Sequence, residues 1–134
     1  MTAPAVRGFE IVAVSARSRD TDRGFDMSDI DWHEDAAALA TRDDVDVIVE
    51  MIGGHDGVAF DLVKTALSRG IHVVTANKAL LAHKGAELAQ IAEDSGAALM
   101  FEAAIAGGIP AVKVLREGLA GHSFSRVSGI LNGT

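Results

Sequence analysis

His72-Val73-Val74-Thr75-Ala76-Asn77-Lys78-Ala79-Leu80-Leu81 is the stretch on which the reading of this 134-residue chain turns. Ile71, Val73 and Val74 are β-formers that run straight into Thr75-Ala76-Asn77-Lys78, where an apolar helical pattern begins. In an open parallel α/β sheet, ligands sit at the carboxyl ends of the strands. Asn77 suits the cap of the next helix, and Lys78 then faces the crevice. Taken alone, the pair reads first as a plain cap followed by a solvated first-turn lysine.

The flanking sequence repeats the strand-to-helix alternation. Upstream, Val45-Asp46-Val47-Ile48-Val49 is a hydrophobic strand entering Glu50-Met51-Ile52-Gly53-Gly54-His55-Asp56. The paired glycines allow a tight turn or a close backbone approach to a ligand. Asp56 is the expected N-cap of a helix running to about Arg69 and stopped by Gly70. Val58, Leu62, Val63, Ala66 and Leu67 fall on one face of it. Downstream, Ala79 to Ala82 start a helical segment that Gly85 is expected to interrupt. A second helix then puts Leu88, Ile91 and Ala92 inward and Glu87, Glu93 and Asp94 outward, and Gly96 closes it. Ala98-Leu99-Met100-Phe101 reads as a buried strand ending in Glu102. Pro110 fits the first turn of the next helix, and Ser123 to Leu131 is strand-like.

Toward the N-terminus, residues 1–8 are a loose lead-in and Phe9-Glu10-Ile11-Val12-Ala13-Val14 is a short buried strand. Arg17 and Arg19 lie just past its carboxyl end. A 2′-phosphate on an adenosine ribose requires such arginines, whereas the free 2′-hydroxyl is met by an Asp or Glu. Solvated loop arginines are the equal alternative. Residues 20–33 are polar and turn-rich, with Trp32 packed down on the domain, and Glu34 to Thr41 contains a short helix around Ala36-Ala37-Ala38-Leu39-Ala40. The order β-α-β-α-β-α-β-α-β calls for an α/β fold, a doubly wound parallel sheet with helices on both faces.

Composition narrows the function. Hydrophobic content of 49% with 23% charged residues is that of a folded domain. A net charge of −7 argues against nucleic acid, whose phosphates need an excess of Lys and Arg. Membrane association is not expected either, because no apolar run approaches a bilayer span. The N-terminal residues do not have the apolar centre of a secretory signal, so a cytoplasmic address is the default. The chain contains no cysteine, which excludes thiolate chemistry and disulfides. The five histidines show no zinc-ligand spacing. Ten aspartates and glutamates between Asp20 and Asp46 read as a solvated face, because no calcium-loop spacing occurs.

Five blocks, in order and spacing, resemble the homoserine dehydrogenases. They are Asp46-Val47-Ile48-Val49-Glu50-Met51-Ile52-Gly53-Gly54, Thr75-Ala76-Asn77-Lys78-Ala79-Leu80-Leu81, Phe101-Glu102-Ala103-Ala104-Ile105-Ala106-Gly107-Gly108-Ile109-Pro110, Leu115-Arg116-Glu117-Gly118-Leu119-Ala120-Gly121 and Gly129-Ile130-Leu131-Asn132-Gly133-Thr134. The likeness is continuous from about residue 44. It implies a Rossmann-like NAD(P)-binding domain over residues 1–131, with residues 132–134 starting a substrate domain, and interconversion of L-homoserine and L-aspartate 4-semialdehyde in threonine and methionine biosynthesis. It also implies NADP or NAD as cofactor and a homo-oligomeric parent enzyme. By the same resemblance Lys78 is the active-site lysine, beside the nicotinamide and the substrate, and Ile52, Gly53, Thr75, Ala76, Asn77 and Lys78 itself line the cofactor. A monovalent cation, usually sodium, would be held by Glu102 and the main-chain carbonyls of Ile105, Gly107 and Ile109. On the residues alone, Glu102 reads instead as a cap for the Pro110 helix or a partner of Arg116.

One departure qualifies the likeness. The Gly-x-Gly-x-x-Gly turn that receives a dinucleotide's pyrophosphate does not stand before Phe9, and neither Gly53-Gly54 nor Gly107-Gly108 has its spacing. The expectation is an internal piece of the enzyme, truncated at both ends and inactive by itself. Two alternatives remain open: a non-catalytic remnant of a nucleotide-binding domain, and a related oxidoreductase such as an aspartate dehydrogenase.

Overall fold

A computed structural model describes residues 8–105, 107 and 109–128. The lead-in before Gly8, positions 106 and 108 of the ion-binding block, and the Gly129–Thr134 block lie outside the described residues. Strands β3 (Val47–Glu50), β4 (His72–Thr75) and β5 (Leu99–Met100) form a parallel sheet in the order β3-β4-β5. Helices α1 (Val58–Ser68) and α2 (Lys78–Ser95) make the crossovers. Ile48, Val73 and Leu99 stand side by side in register and are buried on one face of this sheet. Leu62, Val63, Ala66 and Leu67 of α1 and Leu80, Leu88 and Ala92 of α2 complete that core. Each of the larger side chains contributes roughly 1.5–3 kcal/mol by leaving water. The alternate pleat carries Val49, Val74 and Met100, which are 38–62% exposed.

The helix ends follow from local chemistry. Helix α1 closes in a Schellman motif: Ile71 N–H donates to Ala66 O (2.9 Å) and Gly70 N–H to Leu67 O (3.0 Å), with Gly70 at φ +80°. Its N-cap is Gly57 and not Asp56, because the chain turns into the helix at φ 64° and ψ −135°, a conformation open only to glycine. Helix α1 therefore starts one residue later than expected. Ala59 takes the buried place assigned to Val58, which is 50% exposed.

Helix α2 runs unbroken through Gly85. One interior glycine costs only about 1 kcal/mol, and three features outweigh it. Asn77 Oδ1 accepts from Leu80 N–H (3.0 Å) at the start, Gly96 ends the helix at φ 72°, and Leu80 and Leu88 are buried on either side of the glycine.

The N-terminal part differs more from expectation. Strand β1 is Ala13–Ser15 and pairs in parallel with β2 (Asp31–His33) in a separate two-stranded sheet. Phe9 is 94% exposed and Ile11 is also exposed, so the strand reaches only as far as its three-residue partner. Between the two strands the acidic residues build turns: Asp22 accepts from Gly24 N–H (2.8 Å) and Asp26 from Ser28 N–H (2.9 Å). A 3-10 helix at Ala36–Thr41, capped by Asp35, packs against both β1 and α1 and joins the two sheets.

Past β5, Glu102–Ile105 forms the short helix α3, and Pro110 caps α4 (Ala111–Lys113). The backbone then continues as a π-helical turn, Val114–Gly118. Residues 123–128 form no strand among the described residues.

Candidate functional site

The carboxyl ends of β3 and β4 converge on one carboxylate. Glu50, the last residue of β3, is only 1% exposed, and every group around it donates to it. Its Oε1 accepts from Ile52 N–H (2.7 Å), Gly53 N–H (3.2 Å) and Asn77 Nδ2 (3.4 Å), and its Oε2 accepts from Thr75 Oγ1 (2.5 Å). Thr75 Oγ1 accepts in turn from Asn77 N–H (3.0 Å). Asn77 spans the gap between the two strand ends. Its Nδ2 donates to Gly54 O (2.6 Å) while its Oδ1 caps α2. Thr75 and Asn77 are buried with Glu50, so a polar junction closes the apolar core at this edge. Each donor left unpaired there would cost about 1–3 kcal/mol.

On this junction stand the residues singled out in the sequence. Lys78 is the first residue of α2 and is exposed, its backbone fixed by the cap on one side and the buried Leu80 on the other. Ala76 is exposed beside it, with its N–H bonded to Glu50 O (3.2 Å). Ile52 faces outward from the turn. Gly53 and Gly54 follow at φ 86° and 81°, with no atom within 4 Å of where a side chain would begin. An open, glycine-backed turn carrying one exposed apolar side chain thus lies at the same sheet edge as the helix start that bears Lys78. His55 follows on the same loop and stacks on His83 of α2 with ring centroids 4.2 Å apart, binding loop to helix beyond Lys78.

Ile52, Gly53, Thr75, Ala76, Asn77 and Lys78 are therefore brought together. Arg17 and Arg19 lie elsewhere, exposed in the loop that leaves β1 in the other sheet. The third arginine of that loop, Arg23, holds it in shape by donating to the carbonyls of Ser18 (2.5 Å) and Thr21 (2.8 Å) and stacking on Trp32 at 5.1 Å. This leaves the ordering of the loop to Arg23 and the guanidinium groups of Arg17 and Arg19 at the surface.

Glu102 opens α3 with its Oε2 buried and without a hydrogen-bond partner among the described residues. Arg116 lies over the Phe101 ring at 5.7 Å and forms no ion pair with Glu102 among the described residues. Gly107 follows at φ 56°, and Ile105 and Ile109 are exposed. No group of three or more His, Asp or Glu side chains capable of holding a metal occurs among the described residues. No helix among them is long and apolar enough to cross a membrane.

Comparisons with known proteins agree on one family. A family model described as the NAD-binding domain of homoserine dehydrogenase matches residues 1–102. The homoserine dehydrogenase of Neisseria gonorrhoeae is 50% identical over 101 residues, covering 75% of this chain and 23% of that protein. That of Pseudomonas aeruginosa is 42% identical over 130 residues, covering 97% of this chain and 29% of that protein. Among solved structures, a homoserine dehydrogenase from Thiobacillus denitrificans superposes with a TM-score of 0.62 at 42% identity, over 69% of this chain and 21% of that one. A hyperthermophilic archaeal homoserine dehydrogenase in complex with NADPH gives 0.57 at 32% identity, over 64% of this chain and 26% of that one. The chain spans less than a third of the length of these curated relatives.

Proposed function

The chain belongs to the family of homoserine dehydrogenase NAD-binding domains, and from that premise we propose that it forms the nicotinamide-binding part of an enzyme interconverting L-homoserine and L-aspartate 4-semialdehyde. Residues 1–131 then serve as the cofactor domain and 132–134 begin the substrate domain. The observation that carries this reading is the exposed Lys78 at the carboxyl edge of the sheet, adjoining Asn77, whose side chain bonds the open turn of Ile52, Gly53 and Gly54. A planar ring fits there, because glycines leave its face uncovered and Ile52 offers apolar contact. When bound, the nicotinamide supplies the acceptor for the substrate's hydride.

The chain's own part is proton handling and orientation. As homoserine is oxidised, Lys78 Nζ takes the proton of the side-chain hydroxyl, directly or through a water, and in reduction it returns that proton to the oxygen. Its ammonium form also steadies negative charge developing on that oxygen. Arg17 and Arg19 meet the 2′-phosphate of NADP(H), and the complex of the archaeal relative with NADPH favours that cofactor.

The buried Oε2 of Glu102, without a partner among the described residues, supports a cation site formed with the carbonyls of Ile105, Gly107 and Ile109. A carboxylate without a donor is what a hard monovalent ion satisfies. The functional reading is tested by following homoserine-dependent NADPH formation in the full-length enzyme and NADPH binding by this chain. No turnover in the former and no binding in the latter would reject it.

A further inference from the structure

We propose that Glu50 is a positioning residue of the site, fixing Lys78 and the Ile52-Gly53-Gly54 turn in one geometry; the inference rests on the nicotinamide site proposed above. A strand-end glutamate ordinarily extends into solvent, yet Glu50 is turned back into the core and wholly paired. A carboxylate is the side chain that can accept on both oxygens and donate on neither. Here one oxygen gathers the turn after β3, through the amides of Ile52 and Gly53, and the other holds Thr75 at the end of β4. Asn77 joins both parts. It donates to Glu50 and Gly54 and accepts from Leu80, so the cap of α2 is set by the same carboxylate that sets the turn. Lys78 is covalently next to that cap. Among the described residues no other side chain hydrogen-bonds the turn, strand β4 and the capping residue of helix α2 at once.

Substitutions separate this role from simple packing. Glu50→Ala strips partners from two amides and a hydroxyl. Glu50→Gln keeps one accepting oxygen for the turn, and its amide can donate to Thr75 Oγ1 in a reversed bond. In the full-length enzyme, Glu50→Ala should lower kcat/KM on the order of a hundredfold, the effect of misplacing a catalytic group by about an ångström. Glu50→Gln should restore most of the loss. The decisive arm is a double substitution. If Glu50 acts through Lys78, adding Glu50→Ala to Lys78→Ala should lower kcat little further. Additive losses, or unchanged kcat per folded molecule, would reduce Glu50 to a fold-stabilising residue and overturn the proposal.

A second readout does not depend on activity. Amide hydrogen exchange in this chain should show Ile52, Gly53 and Leu80 losing protection together in Glu50→Ala, with core amides such as Val73 retained. Protection persisting at the first three would overturn the proposal. A wild-type enzyme that does not oxidise homoserine would strike the functional reading alone, and the exchange pattern would still decide whether Glu50 holds turn and cap.

Discussion

Lys78 owes its place to two neighbours and none of its exposure to chance: Asn77 caps the helix it begins, and Leu80 buries the helix's first turn. Its ammonium contributes nothing to the core, so Lys78→Ala should leave folding and cofactor affinity nearly intact. In the full-length enzyme kcat and kcat/KM should fall together by about a hundred- to ten-thousandfold, the usual worth of general acid–base help. Arginine should not rescue it, because guanidinium keeps the charge but does not release a proton near neutral pH. Near-normal kcat with only a raised KM would make Lys78 a binding residue. The arginines have a separate signature. Charge-assisted contacts are worth about 1.5–3 kcal/mol, so Arg17→Ala with Arg19→Ala should weaken NADPH binding roughly ten- to a hundredfold and spare NADH. Equal loss for both cofactors in a titration would reject the assignment. Asn77 and Lys78 were legible in the sequence because a cap and a strand end are local patterns. Glu50 was not. A glutamate closing an apolar run looks solvated, and only the folded register that sets it opposite Thr75 shows it buried.

Helices α1 and α2 were legible for the same local reason, down to the glycines that end them. What misled was Gly85, whose weak propensity gives way once Asn77, Leu80 and Leu88 fix the helix on both sides. An alanine methyl there would lie 3.9 Å from Leu81 Cβ and Cδ2, ordinary contact distance. Gly85→Ala should therefore stabilise the fold by about 0.5–1 kcal/mol, read as a higher urea midpoint at unchanged slope. A lower midpoint would show that the glycine is needed. Strand β1 was expected over Phe9–Val14 and forms only at Ala13–Ser15, and β2 escaped the periodicity altogether, because their pairing spans three residues, too few for alternation to register. Their side of the molecule is fastened by charge. Arg42 bonds Asp44 on both carboxylate oxygens (2.8 and 2.6 Å) and Asp31 of β2 at 2.8 Å. The Arg42 guanidinium holds the Asp44 carboxyl below its ordinary value of 3.8. A carboxylate depressed in the folded state stabilises above its unfolded value and loses that contribution as pH falls through the lowered one. Asp44→Asn should consequently flatten the loss of stability below about pH 4, the reference carboxylate range, with the two proteins' urea midpoints converging as acid is added. Parallel curves would exclude the pair from acid unfolding. The effect should be small, since Asp44 is exposed and screened by salt.

At the scale of the whole molecule, the described residues form a three-stranded parallel sheet with α1 and α2 sharing its core, joined through the 3-10 helix to the two-stranded sheet β1-β2, and the polar junction lies at the edge of that core. The segment after β5 is attached more thinly, through the buried Ala104 and Phe101 against the core and through Arg116 over the Phe101 ring. Glu102 stands at that attachment with an oxygen buried and, among the described residues, unpartnered. Resemblance pointed to this glutamate, but composition and spacing could not, since a lone acid before a turn reads equally as a cap. Burial without a donor gives the proposed ion a measurable consequence. An unpaired carboxylate oxygen is unfavourable inside a protein, whereas an ion bound only to the folded state stabilises it by RT ln(1 + [ion]/Kd), about 2.7 kcal/mol at a hundredfold excess over Kd. The melting temperature of the chain should accordingly rise with sodium at constant ionic strength, tetramethylammonium making up the balance so that screening is fixed. Glu102→Gln should remove the unpartnered carboxylate oxygen and with it the charged ligand that binds the ion. Without sodium it should melt at or above the wild type, and adding sodium should no longer raise it. Were the wild type indifferent to the exchange of cations, or the Gln variant equally responsive, the turn would hold no ion and the oxygen of Glu102 would need another partner.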